Sequence, residues 1–334
     1  MSKNELVRVE DLEVYFHTDE GIVRAVDGVS FHVNRGETLG VLGESGCGKS
    51  VTARSLLNLI PRPRGRIHGG EIWLHKDNGP KVDILSLDPF GKEMGQIRGA
   101  EISMIFQEPM TSLNPVYTIG WQIMEAILLH QPVSKAEARE RAIEMLEKVG
   151  ISSPDQAVDK YPHEFSGGMR QRAMIAIALA CNPRLLIADE PTTALDVTIE
   201  SQILELLEQL KEDMDMSILF ITHDLGVIGE IADRVIVMYT GKIVETGSCV
   251  EIFYNPKHPY TQKLLESRPR IGQKGDLSSI VGSVPSPYHL PPGCRFAPRC
   301  EFAMDKCIKE PPTFSFGPGH GARCWLYEGG ERVG

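Results

Sequence analysis

Apolar and polar residues alternate through VRVEDLEVYF (7–16) and VRAVDGVSFHV (23–33), the two-residue period of strands with one buried face. A continuously apolar run, TLGVLG (38–43), passes into a glycine-rich turn and then into SVTARSLLNLI (50–60), whose spacing predicts a helix. Helical periodicity returns in IGWQIMEAILLH (119–130) and KAEARERAIEMLEKVG (135–150), followed by a polar break at Pro154 and Asp155. Strand and helix then alternate at LLIAD (185–189), SQILELLEQLKED (201–213), SILFIT (217–222) and RVIVMYT (234–240). Such short apolar runs fit parallel strands buried on both faces. The pattern predicts an α/β fold that opens with alternating strands and is divided by a helical insert. No internal repeat is visible.

The texture changes near residue 250. Half of the prolines, 11 of 22, fall between residues 250 and 320, and four of seven cysteines fall in the last 41 residues. A loop-rich tail of this length buries little core, which is where a structural metal becomes useful. The longest apolar run, Ala173 to Cys181, is far below the ~18 residues of a membrane span. The N-terminus lacks the basic start and apolar core of a secretory signal, so a cytoplasmic location is expected. The formal charge of −10 disfavours the phosphate contacts that dominate nucleic-acid binding.

Gly43-Glu-Ser-Gly-Cys-Gly-Lys49-Ser50 fits G-x-x-x-x-G-K-[ST] between a strand and a helix. Backbone N–H groups of Gly43, Ser45, Gly46, Cys47 and Gly48 are placed to turn toward phosphate oxygens, and Val51 follows in the first helical turn. Lys49 would reach the β and γ phosphates, and Ser50 would ligate Mg²⁺. Farther on, the apolar strand LLIAD ends in Asp189 and Glu190, at the strand end where open α/β sheets bind ligands. Asp189 suits Mg²⁺; Glu190 suits the polarisation of an attacking water. Alone, an acidic pair there is a solvated loop or a helix cap; after a phosphate loop the catalytic reading is favoured.

FSGGMRQR (165–172) followed by AMIAIALA resembles the signature of ABC ATPases, usually LSGGQ, with Phe165 and Met169 as departures. A serine and two glycines opening an apolar helix also make an anion site. The resemblance extends from residue 6 to 250. It implies a Q-loop glutamine at Gln107, a D-loop at Ala194-Leu195-Asp196, a switch histidine at His223 and an aromatic stacked on adenine. Strand phase places Phe16 with Leu12 and Val14, which makes Phe16 the candidate, with Tyr15 on the other face. The implied fold is a P-loop ABC ATPase: a core with an N-terminal antiparallel β subdomain (1–107 and 166–250), a helical subdomain (108–165) and a small metal-binding tail (251–334). Ser166, Gly167 and Gly168 of one chain would close over ATP held by a second chain.

PMTSLNP (109–115) and NPKHPYTQKLL (255–265) resemble the ATPases of dipeptide and oligopeptide importers. That family pairs two ATPases, usually different chains, under two membrane permease subunits fed by an extracytoplasmic peptide-binding protein. The working place would then be the cytoplasmic face of the membrane, with the helical insert as the dock for the permeases. Related importers carry nickel or other small solutes. A soluble ABC ATPase of DNA repair or translation is the rival, but the long coiled-coil insertion or second cassette of such proteins is missing.

Cys294, Cys300, Cys307 and Cys324 supply four soft ligands, suited to Zn²⁺ or an iron–sulfur cluster. Their spacing matches neither common zinc modules nor the bacterial ferredoxin run. Similar tails in the peptide-importer ATPases carry a [4Fe–4S] cluster, which favours iron–sulfur here, in a structural role.

Overall fold

The computed structural model describes residues 4–76, 79–107, 112–193, 195–267 and 280–329. Pro109, Met110 and Thr111 of the importer-like segment, and Ala194 of the D-loop, lie outside the described residues. The chain divides into two compact units.

One unit comprises Val7–His32, Thr38–Asp83 and Thr222–Gly334. It carries β1 (Glu5–Thr18), β2 (Gly21–Asn34), β3 (Thr38–Leu42), α1 (Lys49–Leu56), β4 (Gly65–Leu74) and β5 (Val82–Asp83). Four of these form a sheet in the order β2-β1-β4-β5, with β1 antiparallel to β4 and β4 to β5. β1 does not keep one phase along its length. Val7 and Val9 are buried, and beyond a register shift between Glu10 and Val14 the buried positions become Leu12 and Val14. One extra residue in a strand flips every later side chain to the other face, and the left-handed Asp11 (φ 44°) lies at that point.

The other unit comprises Met1–Leu6, Val33–Glu37 and Ile84–Ile221. It holds α2 (Lys92–Ile97), β6 (Ile102–Ile105), α3 (Ile119–His130), α4 (Lys135–Lys148), α5 (Pro154–Ala157), α6 (Gly167–Leu179), β7 (Leu185–Asp189), α7 (Val197–Asp213) and most of β8 (Ser217–Thr222). Parallel β6, β7 and β8 align Ile102 with Leu185 and Leu185 with Ser217; every residue of all three is buried. The helical insert packs by periodicity. Ile119, Ile123 and Ile127 form one buried stripe of α3, and Ala138, Ala142 and Met145 one of α4. Small alanines let α4 approach its neighbours α3, α5 and α6. Ser134 and Glu137 form a reciprocal capping box that fixes the start of α4.

The first unit continues with α8 (Leu225–Ile231), β9 (Arg234–Tyr239), β10 (Lys242–Ser248), α9 (Cys249–Tyr254), α10 (Pro259–Glu266), β11 (Phe314–Gly317) and β12 (His320–Ala322). β3 runs parallel to β9, β10 antiparallel to β9, β12 to β10, and β11 to β12. The tail strands thus continue the edge of β10. Behind them, the buried Glu245 accepts from the backbone N–H groups of Lys257 and His258 and pairs with Nε2 of His320 at 3.0 Å. A small apolar cluster of Cys324, Leu326 and Tyr327, packed by Phe302, Met304, Phe314 and Phe316, closes the tail. Among the described residues no helix is long and apolar enough to cross a membrane.

Candidate active site

The turn between β3 and α1 is built where only glycine fits. A Cβ on Gly43 would stand 2.3 Å from the carbonyl oxygen of Met238, and one on Gly48 the same distance from that of Ala25. Gly48 also holds φ 102°, in the left-handed region, as the N-cap of α1. The loop therefore lies directly on β9 and β2 backbone. Lys49 is buried and its Nζ donates to the carbonyls of Gly43 (2.7 Å) and Glu44 (3.2 Å). Cys47 is buried behind the loop and Ser50 is half-buried at the helix start.

Two further expected residues belong to the same unit. Phe16 is half-buried, with its ring edge against Gly65: a Cβ there would meet Cε1 of Phe16 at 2.9 Å. Tyr15 is committed elsewhere. Its hydroxyl lies 3.0 Å from Asp27 and 3.2 Å from Glu13, and its ring stacks on His68 at 4.5 Å. Burial and then the neighbouring carboxylates push that phenol's pKa well above its usual value. Tyr15 is thus already occupied, whereas Phe16 has no polar tie. His223 is exposed, just ahead of Asp224, which caps α8 by accepting from the Gly226 N–H.

In the other unit, β7 delivers Asp189 fully buried and Glu190 at its very end. Glu190 adopts φ 50°, and its N–H donates to the Ile221 carbonyl at 2.9 Å. Its Oε2 accepts from Gln107 Nε2 at 2.9 Å and from Thr193 Oγ1 at 3.1 Å. The structure therefore brings Gln107 and Glu190 together, 83 residues apart. Ser166 caps α6, its hydroxyl accepting from the Met169 N–H at 3.3 Å. Phe165 is buried as an apolar plug, while Ser166 and Gly167 are exposed. Gly168 faces Ile199 of α7, the helix capped by Asp196, whose Oδ1 accepts from the Ile199 N–H at 3.0 Å.

Sequence reasoning gave no role to Thr193, Gln171, Glu44, Tyr260 or Arg299. Gln171, fully buried, donates to the Pro191 carbonyl and so anchors α6 to the segment following Glu190. Its signal was its place in the QR pair after the signature.

All four tail cysteines line one apolar cavity with Phe296, Phe302, Met304, Trp325 and Leu326, and none forms a disulfide. By donor chemistry that set fits a soft metal or an iron–sulfur cluster. The side-chain arrangement does not reproduce a ligand set: among the described residues no group of three His, Cys, Asp or Glu is placed to hold a metal ion. Burial, followed by mutual repulsion among the sulfurs, pushes Cys300 up to about 11 and Cys324 up to about 12. These two are thiols at neutral pH, and a bound cation would have to draw off their protons. The expectation of a metal-binding tail is thus not supported by the arrangement of the described residues, although the four cysteines line one cavity.

The description "ABC transporter" matches residues 26–193, and "Oligopeptide/dipeptide transporter, C-terminal region" matches residues 244–307. The chain is 53% identical to the oligopeptide transport ATP-binding protein AppD of Bacillus subtilis over 97% of both chains. It is 49% identical to the dipeptide transport ATP-binding protein DppD of the same organism, over 97% of this chain and 95% of that one. Among solved structures, it is similar to the dimeric, post-hydrolysis ATP-binding cassette MJ0796 bound to ADP and phosphate. That match has a TM-score of 0.63 and 27% identity, covering 73% of this chain and 99% of the cassette. It is also similar to cbiO1 of Clostridium perfringens, with a TM-score of 0.62 and 27% identity over 76% of this chain and 92% of the other. The chain belongs to the ABC transporter family, in the group named as oligopeptide and dipeptide transport ATP-binding proteins.

Proposed function

We propose that this chain binds and hydrolyses ATP to power the import of dipeptides or oligopeptides. The similarity to peptide-transport ATPases along 97% of the chain, tail included, carries the substrate class. The hydrolytic half of the reading is supported by Glu190, whose carboxylate is oriented by Gln107 and Thr193.

Gly43, Ser45, Gly46, Cys47, Gly48, Lys49, Ser50 and Val51 would hold the triphosphate, and Phe16 would stack on adenine. Ser50, Gln107 and Asp189 would hold Mg²⁺, which supplies charge neutralisation at the phosphates. Glu190 would accept the proton of the attacking water, and His223 would hold the transferring phosphoryl group in line. Ser166, Gly167, Gly168 and Asp196 would act on the nucleotide of a second, homologous ATPase, usually a different chain. The exposure of Ser166 and Gly167 at the start of α6 suits that role. Two permease subunits would dock on the helical insert at the cytoplasmic face of the membrane, fed from outside by a peptide-binding protein. Exposed Val116, Tyr117, Trp121 and Leu129 support a docking face there, with Tyr117 and Trp121 stacked at 4.0 Å. In the tail, Cys294, Cys300, Cys307 and Cys324 would hold a [4Fe–4S] cluster, with zinc as the alternative occupant.

The test is purification of the chain with whatever it assembles with, followed by ATPase assays in reconstituted vesicles with defined peptides. Recovery with two multi-spanning proteins and a second ATPase, and uptake driven by ATP, is expected. Recovery with ribosomes or DNA, or uptake of nickel alone, would overturn the reading. Iron and sulfide analysis of the same preparation decides between cluster and zinc.

A further inference from the structure

One residue of the phosphate loop, Glu44, is held from the far end of the chain. Both oxygens of its carboxylate face the fork of Arg299, Oε2 at 2.8 Å from Nη1 and Oε1 at 3.2 Å from Nη2. The Arg299 side chain is 4% exposed and that of Glu44 26%. Such a half-buried, two-pronged pair fixes geometry as well as charge. The backbone N–H of Glu44 donates to the hydroxyl of Tyr260 at 3.0 Å, and Tyr260 is itself fully buried against Tyr239, 4.6 Å between ring centroids. Tyr239 in turn places its hydroxyl 3.3 Å from Nη1 of Arg299. The Glu44 carbonyl accepts from Lys49. Side chain, amide and carbonyl of this one loop residue are therefore all engaged, two of the three by α10 and the tail.

A carboxylate inside a loop that cradles phosphates opposes the anion it serves. Arg299 cancels that charge where it arises, and Tyr260 fixes the direction of the neighbouring peptide plane. An anchor serving only to attach the tail would have no need to select a phosphate-loop residue. We propose that Arg299 and Tyr260 are positioning residues for ATP, acting through Glu44 to mask its charge and to set the phosphate loop for binding. The inference rests on the nucleotide reading of the loop and adds the C-terminal segment to the machinery that binds ATP.

Equilibrium titration of the full-length chain with ATP and Mg²⁺, with a thermal melt of each variant, tests it. Arg299→Gln should weaken ATP binding about tenfold, the scale of one charge-assisted hydrogen bond. Tyr260→Phe, which keeps the buried ring, should weaken it about threefold, the scale of a neutral hydrogen bond. Adding Glu44→Gln to Arg299→Gln should recover binding to within about threefold of the parent, because the uncompensated charge is gone. Parent-like binding by both single variants, or a double variant as weak as Arg299→Gln, would overturn the proposal; the latter would mean that Arg299 merely supports the fold. A parent chain that binds no ATP would instead overturn the nucleotide reading beneath it.

Discussion

Glu190 stands in left-handed backbone at φ 50°, a conformation that costs a non-glycine residue on the order of 1 kcal/mol. Its N–H bond to Ile221 and the donors Gln107 and Thr193 hold it there, so the strain aims the carboxylate. Glu190→Gln keeps shape and removes the base: turnover should fall at least about 100-fold while ATP still binds, checked by phosphate release beside a binding titration. Undiminished hydrolysis would move the base elsewhere. Gly48→Ala should cost about 1–3 kcal/mol and abolish ATP binding, since its Cβ strikes the Ala25 carbonyl. Gly46→Ala, with φ 77° and open space around it, should be the milder change in urea unfolding. His258 gives the pH dependence. Burial holds its imidazole down at about 3, while the unfolded chain protonates near 6.5, so between those values only the unfolded state takes up the proton. Stability is full above pH 6.5 and falls on acidification, by about 1 kcal/mol between pH 7 and pH 5.5. His258→Gln retains an acceptor for the Tyr260 N–H and should flatten that slope in denaturant titrations. Lys49 and Glu190 could be singled out in the sequence because a glycine-rich motif frames the first and an apolar strand leads straight to the second. The Arg299 to Glu44 pair could not, for nothing local marks two residues 255 apart as partners.

Periodicity announced the helices of the insert because their cores are built within single helices, from Ile119, Ile123 and Ile127 or from Ala138 and Ala142. Their starts, Ile119 and Lys135, are also the first residues of the periodic strings, whereas the capping contacts ahead of them are geometric matches of few atoms that periodicity does not show. Ser134→Ala removes one half of the capping box and should destabilise the helical insert by about 1 kcal/mol, read from urea unfolding followed by Trp121 fluorescence. A loss near zero would show that packing of α4 fixes its first turn without the cap. The bulge in β1 marks another limit. The string VRVEDLEVYF places two polar residues in a row, Glu10 and Asp11, so its apolar positions change there from odd to even as the buried face does, but only the pairing with β4 shows that the cause is a bulge. Beyond the bulge the phase shared by Leu12, Val14 and Phe16 holds, with Phe16 opposite Gly65.

For the molecule at work, one chain carries a phosphate loop and a signature, and the proposal assigns these to different nucleotides. Glu190→Gln mixed with the second ATPase proposed for it should form an ATP-dependent pair by light scattering; a pair that forms equally without ATP would contradict the scheme. The composition shift near residue 250 marks the tail as different in texture, but not that β12 and β11 are sheet strands, because HGA and FSFG are too short to carry a period. Their place has a further bearing on biogenesis. β10 leaves the ribosome well before β12 exists to cover it, with Glu245 and Thr246 destined for Ala322 and Gly321. During that interval the nascent chain shows an open strand edge, the template for pairing with other chains. A chain ending at Ser267 would keep that edge for good, and it should sediment as aggregates where the full chain stays in solution. β11 and β12 therefore form a closing seam, and the edge of β10 is covered only once they have been made.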